Sequence, residues 1–197
     1  GMNVIKNGTI TDVKGFKAAG ITAGLKKSGK KDLALIYSEY KAVSAAVFTK
    51  NLVKAAPILV DMENIKSENT QAIIVNSGNA NACTGENGYI NAKKMTEIIA
   101  EKLNLYPAEV LVESTGIIGV QMDMGKVTEG LEKIVGELSE DGGHSAGEAI
   151  MTTDTFPKNI AVKTNIDGKE VTIAGIAKGW GMIHPNMATM LSFLTTD

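Results

Sequence analysis

Gln71-Ala72-Ile73-Ile74-Val75-Asn76-Ser77-Gly78-Asn79-Ala80-Asn81-Ala82-Cys83-Thr84-Gly85 is the stretch whose reading decides the fold. After Gln71, residues 72–75 are a short run of apolar and β-branched side chains, which predicts a strand over 71–75. The next ten residues are nearly all small. Beyond them, Met95, Ile98, Ile99 and Leu103 recur at helical spacing and predict a helix over 89–103. Strand, small-residue loop and helix in succession are the unit of an α/β fold. The loop carries two readings. Small residues leave backbone N–H groups open to an anion or oxyanion. Asn and Gly also make turns that lead into helices.

Outward from this stretch the pattern repeats. Residues 109–113 predict another strand, running into Ser114-Thr115-Gly116-Ile117-Ile118-Gly119. Ligand sites of α/β sheets lie at such strand ends. A helix over 125–138 follows, with Val127, Leu131, Ile134, Val135 and Leu138 on one face, and a short helix over 145–151. Thr152-Thr153-Asp154-Thr155 then reads as a binding loop or as an ordinary helix end. Upstream, residues 3–31 are Gly- and Lys-rich and read as a loop with short strands. Residues 32–37 and 44–49 read as a hairpin, and Ile58-Leu59-Val60 as a third strand. Downstream, 160–162 and 171–177 read as strands around an Asp167-Gly168 turn.

The totals narrow the function classes. At 197 residues the chain holds one domain or two small ones. A hydrophobic share of 44% against 21% charged makes it globular. A net charge of −2 without a basic block argues against nucleic acid. No apolar run reaches the roughly 18 residues of a membrane span, and the first residues lack the charged and apolar regions of a secretion signal, so secretion is not expected. One cysteine, Cys83, excludes an internal disulfide and fits a cytoplasmic setting. With only two histidines, no metal site is expected.

Candidate chemistry gathers in Lys178-Gly179-Trp180-Gly181-Met182-Ile183-His184-Pro185-Asn186-Met187-Ala188-Thr189-Met190-Leu191. A Gly- and Pro-containing loop there meets a threonine at the mouth of an apolar run. A threonine hydroxyl is a weak nucleophile and needs a base. His184 and His144 are candidates. So is the α-amino group of Thr189 itself, were the Ala188–Thr189 peptide cut. The residues alone leave these open.

Taken together, the motifs resemble the N-terminal half of the ornithine acetyltransferase (glutamate N-acetyltransferase) family of arginine biosynthesis. The likeness is carried by Gly15-Phe16-Lys17-Ala18-Ala19-Gly20, Ala45-Ala46-Val47-Phe48-Thr49, residues 76–85, Ser114-Thr115-Gly116, residues 151–155, Lys178-Gly179-Trp180-Gly181-Met182 and Ala188-Thr189-Met190-Leu191. It implies an α/β fold of layered helices and sheets, similar to that of N-terminal-nucleophile-like aminopeptidases. Residues 1–197 would form a single α/β domain: the alpha chain plus the first residues of the beta chain. It implies self-cleavage between Ala188 and Thr189, and acetyl transfer from N-acetylornithine to glutamate through an acetyl-threonine at Thr189. Thr115 and Gly116 would form the oxyanion hole, and Thr152, Lys178 and Thr189 would bind substrate. No cofactor is implied, although acetyl-CoA serves some members as a donor. The implied partner is the beta chain, in an α2β2 heterotetramer. An amidase or aminopeptidase of the same superfamily is the rival reading. A chain running past Ala188 without a beta half is further expected to be uncut or truncated, and inactive alone.

Overall fold

The computed structural model describes residues 3–4, 11, 15–46, 55–67, 69–151, 158–166, 169–177 and 190–196, with side chains described for 11, 15–39, 55–67 and 69–151. Among the described residues the strands are β1 (Asn3–Val4), β2 (Phe16–Ile21), β3 (Leu33–Ala46), β4 (Thr70–Asn76), β5 (Val110–Ser114), β6 (Lys158–Ile166), β7 (Lys169–Ala177) and β8 (Met190–Thr196). The α-helices among them are α1 (Ala56–Asn64), α2 (Gly85–Leu103), α3 (Met124–Ile134) and α4 (Gly143–Ile150). The strands run in the order β1-β6-β7-β8-β3-β4-β5, with β2 also paired to β3.

Burial explains why these stretches are strands. In β3, Leu33 and Leu35 join one core cluster with Val60 of α1, Met95 of α2 and Leu131 of α3. Their neighbours Ala34 and Ile36 join a second cluster with Ala146 and Ala149 of α4. β4 alternates likewise, Ile73 and Val75 facing α4 while Ala72 and Ile74 face the other helices. Successive strand residues point to opposite faces, so a sheet covered on both sides needs continuous apolar runs. The β4–α2–β5 unit joins two parallel strands through its helix, as the sequence implies.

Two expectations are corrected. Residues 32–37 and 44–49 do not form a hairpin, because 33–46 is one strand. Its first part pairs with β2 and β4 and its last four residues pair with β8, with a register shift between Tyr37 and Ala42. The polar residues near that shift interrupt the apolar pattern where the strand changes partners. Residues 47–49 lie outside the described residues. Ile58-Leu59-Val60 belongs to α1 rather than to a strand. Pro57 sits in the first helical turn, where its missing N–H costs nothing. Val60 is buried while Leu59 is exposed, a one-sided pattern.

α1 also covers the outer flank of β5. The Val112 N–H donates to Asp61 Oδ1 at 2.8 Å, and Asn64 Nδ2 donates to Val110 O at 3.0 Å. Side chains thus take the places that a further strand would fill. On the opposite flank, Ala18 of β2 exchanges both backbone hydrogen bonds with Ser139. α4 packs so closely on β2 that a Cβ on Gly20 would lie 1.9 Å from the Ser145 carbonyl oxygen.

Burial pushes the Asp61 carboxyl well above the usual carboxylate range, against the opposing effect of the Val112 N–H. A raised folded pKa means that the folded state prefers the protonated form. That preference stabilises below the ordinary carboxylate pKa and is lost as pH rises through the raised value. Asp61→Asn keeps an acceptor for Val112 without the charge. It is therefore expected to raise Tm at pH 7, by roughly 2–4 °C per kcal/mol recovered. The gain should shrink as pH falls toward 4, which melting curves at the two pH values check. Gly20→Ala should lower stability by about 1–3 kcal/mol through overpacking, measured by denaturant unfolding.

Candidate functional site

The site region is built from loops at one end of β2–β5. Asp32, fully buried at the head of β3, organises them. Its carboxylate accepts the backbone N–H groups of Ala23 (2.6 Å), Gly24 (3.2 Å), Leu25 (2.6 Å) and Lys26 (3.0 Å). These bonds wrap the loop after β2 around one anion. The Asp32 carbonyl in turn accepts the Ser77 N–H at 2.9 Å, tying in the loop after β4.

That second loop is laced by its own asparagines. Asn76 Nδ2 donates to Asn79 O at 2.9 Å, and Asn76 Oδ1 accepts from Ser114 Oγ. Asn79 Oδ1 accepts the Asn81 N–H at 2.8 Å, and Asn79 Nδ2 donates to Val120 O at 3.0 Å. Asn81 adopts a φ of +48° and bonds Thr84 and Gly88 at the start of α2. Of the two readings of this tract, the turn leading into a helix describes what its asparagines do. Their second task is to hold the loop after β5. Thr115 N–H donates to Asn76 O at 3.0 Å, Ala80 N–H to Ile117 O at 2.9 Å and Gly119 N–H to Ala82 O at 2.8 Å.

Thr115 and Gly116 emerge from this lacing as a pair of open donors. The Thr115 Oγ1 atom is buried and makes no hydrogen bond to any described residue. Buried polar groups are nearly always paired, and an orphan costs about 1–3 kcal/mol. The Gly116 N–H also finds no acceptor among the described residues. Gly116 has φ +130°, and a Cβ there would lie 2.5 Å from the Gly78 carbonyl carbon and 2.6 Å from the Asn79 nitrogen. Only glycine fits, so the two loops meet backbone to backbone.

Lys26 completes the surroundings. Its ammonium donates to Lys31 O at 2.9 Å and to Met151 O at the end of α4. Burial pushes the Lys26 pKa below its usual value, with the Asp32 carboxylate opposing and Lys30 reinforcing the shift. Sequence reading missed Lys26 and Asp32. The available signal was an acidic residue heading an apolar run directly after a Gly- and Lys-rich loop. His144, a candidate base, is exposed in the first turn of α4. Among the described residues no three His, Cys, Asp or Glu side chains gather as metal ligands.

Thr152, Lys178, Ala188 and Thr189 lie outside the described residues. Ala177, which precedes Lys178, and Met190, which follows Thr189, are antiparallel partners in β7 and β8. Leu191 near the start of β8 pairs with Ala46 and the end of β4 pairs with Leu33, so the two are joined through β3, whose register shifts between Tyr37 and Ala42.

The fold and these loops define a mixed α/β protein that presents, at a strand end, a hydroxyl and an amide with no partner among the described residues. The chain belongs to the ArgJ family, whose pattern matches residues 17–197. It is 58% identical over 193 residues to the arginine biosynthesis bifunctional protein ArgJ of Caldanaerobacter subterraneus subsp. tengcongensis, covering 98% of this chain and 48% of that protein. The chain thus spans about half the length of the curated relatives it matches. A crystal structure of ArgJ from Bacillus halodurans superposes with a TM-score of 0.88 at 44% identity, covering 95% of this chain and 98% of that one. The ornithine acetyltransferase of Mycobacterium tuberculosis, solved with ornithine, gives a TM-score of 0.86 at 38% identity, covering 95% and 100% of the respective chains. Among the described residues no helix is long and apolar enough to cross a membrane.

Removing an orphan hydroxyl relieves an unpaid desolvation cost. Thr115→Val, of nearly the same shape, is therefore expected to keep or raise the thermal midpoint, whereas replacing a hydrogen-bonded threonine would lower it. Calorimetric melting checks this.

Proposed function

We propose that the chain is the alpha portion, with the first residues of the beta portion, of a self-processing N-acetyltransferase of arginine biosynthesis. It would move an acetyl group from N-acetylornithine to glutamate. One observation carries the reading: a buried hydroxyl at Thr115 beside the N–H of Gly116, neither with a partner among the described residues. Donors fixed in place before charge develops suit a tetrahedral oxyanion, because they need no rearrangement when it forms.

In this reading the Thr189 hydroxyl attacks the acetyl carbonyl, and its proton passes to the freed α-amino group of Thr189. The carbonyl oxygen becomes the oxyanion and accepts from Thr115 Oγ1–H and Gly116 N–H. Collapse of the intermediate breaks the C–N bond, and the departing ornithine amine takes the proton. The amine of glutamate then attacks the acetyl ester by the same path and restores the Thr189 hydroxyl. Lys178 supplies a positive charge for a substrate carboxylate, and Thr152 a hydroxyl for substrate binding.

Several comparisons support this reading. The relatives are named as bifunctional proteins of arginine biosynthesis, and one solved neighbour holds ornithine. This chain covers 98–100% of the two solved chains but 48% of the relative's full length. Separate chains of about this length are what cutting at Ala188–Thr189 would leave. The beta chain and an α2β2 assembly complete the proposal, with a cytoplasmic location in keeping with the lone cysteine. Acetyl-CoA as a second acetyl donor belongs to the same proposal.

Intact-mass measurement of the full-length protein should show a fragment beginning at Thr189, and Thr189→Ala should abolish it. Acetyl transfer from N-acetylornithine to glutamate is expected from the assembled halves and absent from the 197-residue chain alone. Thr115→Val should lower kcat by roughly 10²–10³. Robust turnover by the isolated chain, or hydrolysis without transfer to glutamate, would overturn the proposal.

A further inference from the structure

β4 and β5 run side by side as far as Asn76 and Ser114, and their pairing closes with the Thr115 N–H donating to Asn76 O at 3.0 Å. Both chains then turn on a glycine, Gly78 with φ +93° and Gly116 with φ +130°. They meet again at Asn79 and Ile117, where Ala80 N–H donates to Ile117 O at 2.9 Å. The Thr115–Gly116 peptide lies between these two ties, with Gly116 backed by Gly78 and Asn79. One fully buried side chain reaches both branches of this fork. Asn76 Nδ2 donates to Asn79 O at 2.9 Å, and Asn76 Oδ1 accepts from Ser114 Oγ.

The direction of those two bonds decides which proton is left over. The Asn79 carbonyl can only accept, so the amide NH2 of Asn76 must face it and the amide oxygen must face Ser114. That oxygen also only accepts, so the Ser114 hydroxyl spends its proton there. Ser114 and Thr115 are adjacent hydroxyls, and of the two it is Thr115 Oγ1 that stays without a partner among the described residues. We infer that Asn76 is a positioning residue for the acyl-transfer step, which engages the Ser114 hydroxyl and the Asn79 carbonyl together and so holds the Thr115 hydroxyl and the Gly116 N–H where the oxyanion forms. This rests on the proposed reading of Thr115 and Gly116 as oxyanion donors. Such donors must stay within roughly 0.5 Å of the productive geometry. Ser114→Ala breaks the bond to Asn76 with little change of shape, and Ser114→Thr keeps the hydroxyl. Asn76→Asp keeps an acceptor for Ser114 but sets a second acceptor against the Asn79 carbonyl.

The test uses the enzyme assembled from both halves and assayed for acetyl transfer from N-acetylornithine to glutamate. Ser114→Ala is expected to lower kcat about tenfold while KM stays within about threefold, the mark of an interaction made in the transition state. Ser114→Thr should return kcat to within about threefold of the unaltered enzyme, and Asn76→Asp should lower it at least as far as Ser114→Ala. A double-mutant cycle separates positioning from a general structural role. In a Thr115→Val background the further loss from Ser114→Ala should shrink to about threefold or less. An unchanged kcat in Ser114→Ala or Asn76→Asp would overturn the inference. So would a loss that persists undiminished in the Thr115→Val background, or one that Ser114→Thr does not restore. If Ser114→Ala does not fold, Ser114→Cys, close in shape with only a weak donor, is read by the same criteria. An assembled enzyme that transfers no acetyl group, or one that Thr115→Val does not slow, removes the proposed reading and this inference together. One slowed by Thr115→Val but not by Ser114→Ala removes the inference alone.

Discussion

A single buried carboxylate sets the frame of the site. Asp32 sits in the core with no exposed surface, where an unpaired charge would be very costly. Four backbone N–H groups around it answer that cost, and they are supplied by one loop bent into a cup. The same residue extends the constraint through its main chain, accepting from Ser77 and donating to Ile21. The loops after β2 and β4 are therefore tied to one residue. The Gly78–Gly116 contact adds the loop after β5, and the Ser77 and Lys26 bonds add the end of α4. Behind this backing the Thr115 hydroxyl stays buried and, among the described residues, without a hydrogen-bond partner.

How much of this could be read in the sequence follows from which forces are local. Strand and helix positions in 70–150 depend on apolar periodicity, and residues 71–75, 89–103 and 110–113 carry it plainly. The reading failed where tertiary pairing overrode local pattern. Polar residues around Ser38–Lys41 look like a turn, yet the strand runs through them because it exchanges β4 for β8 there. Ile58–Val60 looks like a strand because three β-branched or aliphatic residues adjoin. The proline before them and the one-sided burial beyond reveal a helix. Thr115 and Gly116 were legible as strand-end donors and through family likeness. That their donors are open was not, because it depends on where Asn76 and Gly78 spend their own contacts. Asp32 was invisible as an organiser because its four partners are backbone groups, which a sequence does not mark.

The mixture of roles in the Asn-rich loop is instructive. Asn76, Asn79 and Asn81 are buried, and each spends its amide on carbonyls or amides of nearby loops. None is left to face a ligand. The catalytic possibilities of the region thus lie in what the asparagines hold, not in the asparagines. Chemistry-bearing residue types and chemistry-bearing positions separate here, and only the hydrogen-bond pattern tells them apart.

The flanks of the four strands β2–β5 have a consequence for the molecule's behaviour in a crowd. One flank is stapled by Asp61 and Asn64, the other by Ser139. A neighbouring chain that drifts alongside meets no vacant ladder at these points and cannot template itself there. Sideways pairing is blocked at these points, while among the described residues the sheet continues lengthwise, through β3 into β8. The same two staples that shape the fold thus also serve as guards against edge-to-edge aggregation, at a place where the interior strands are among the most apolar in the chain.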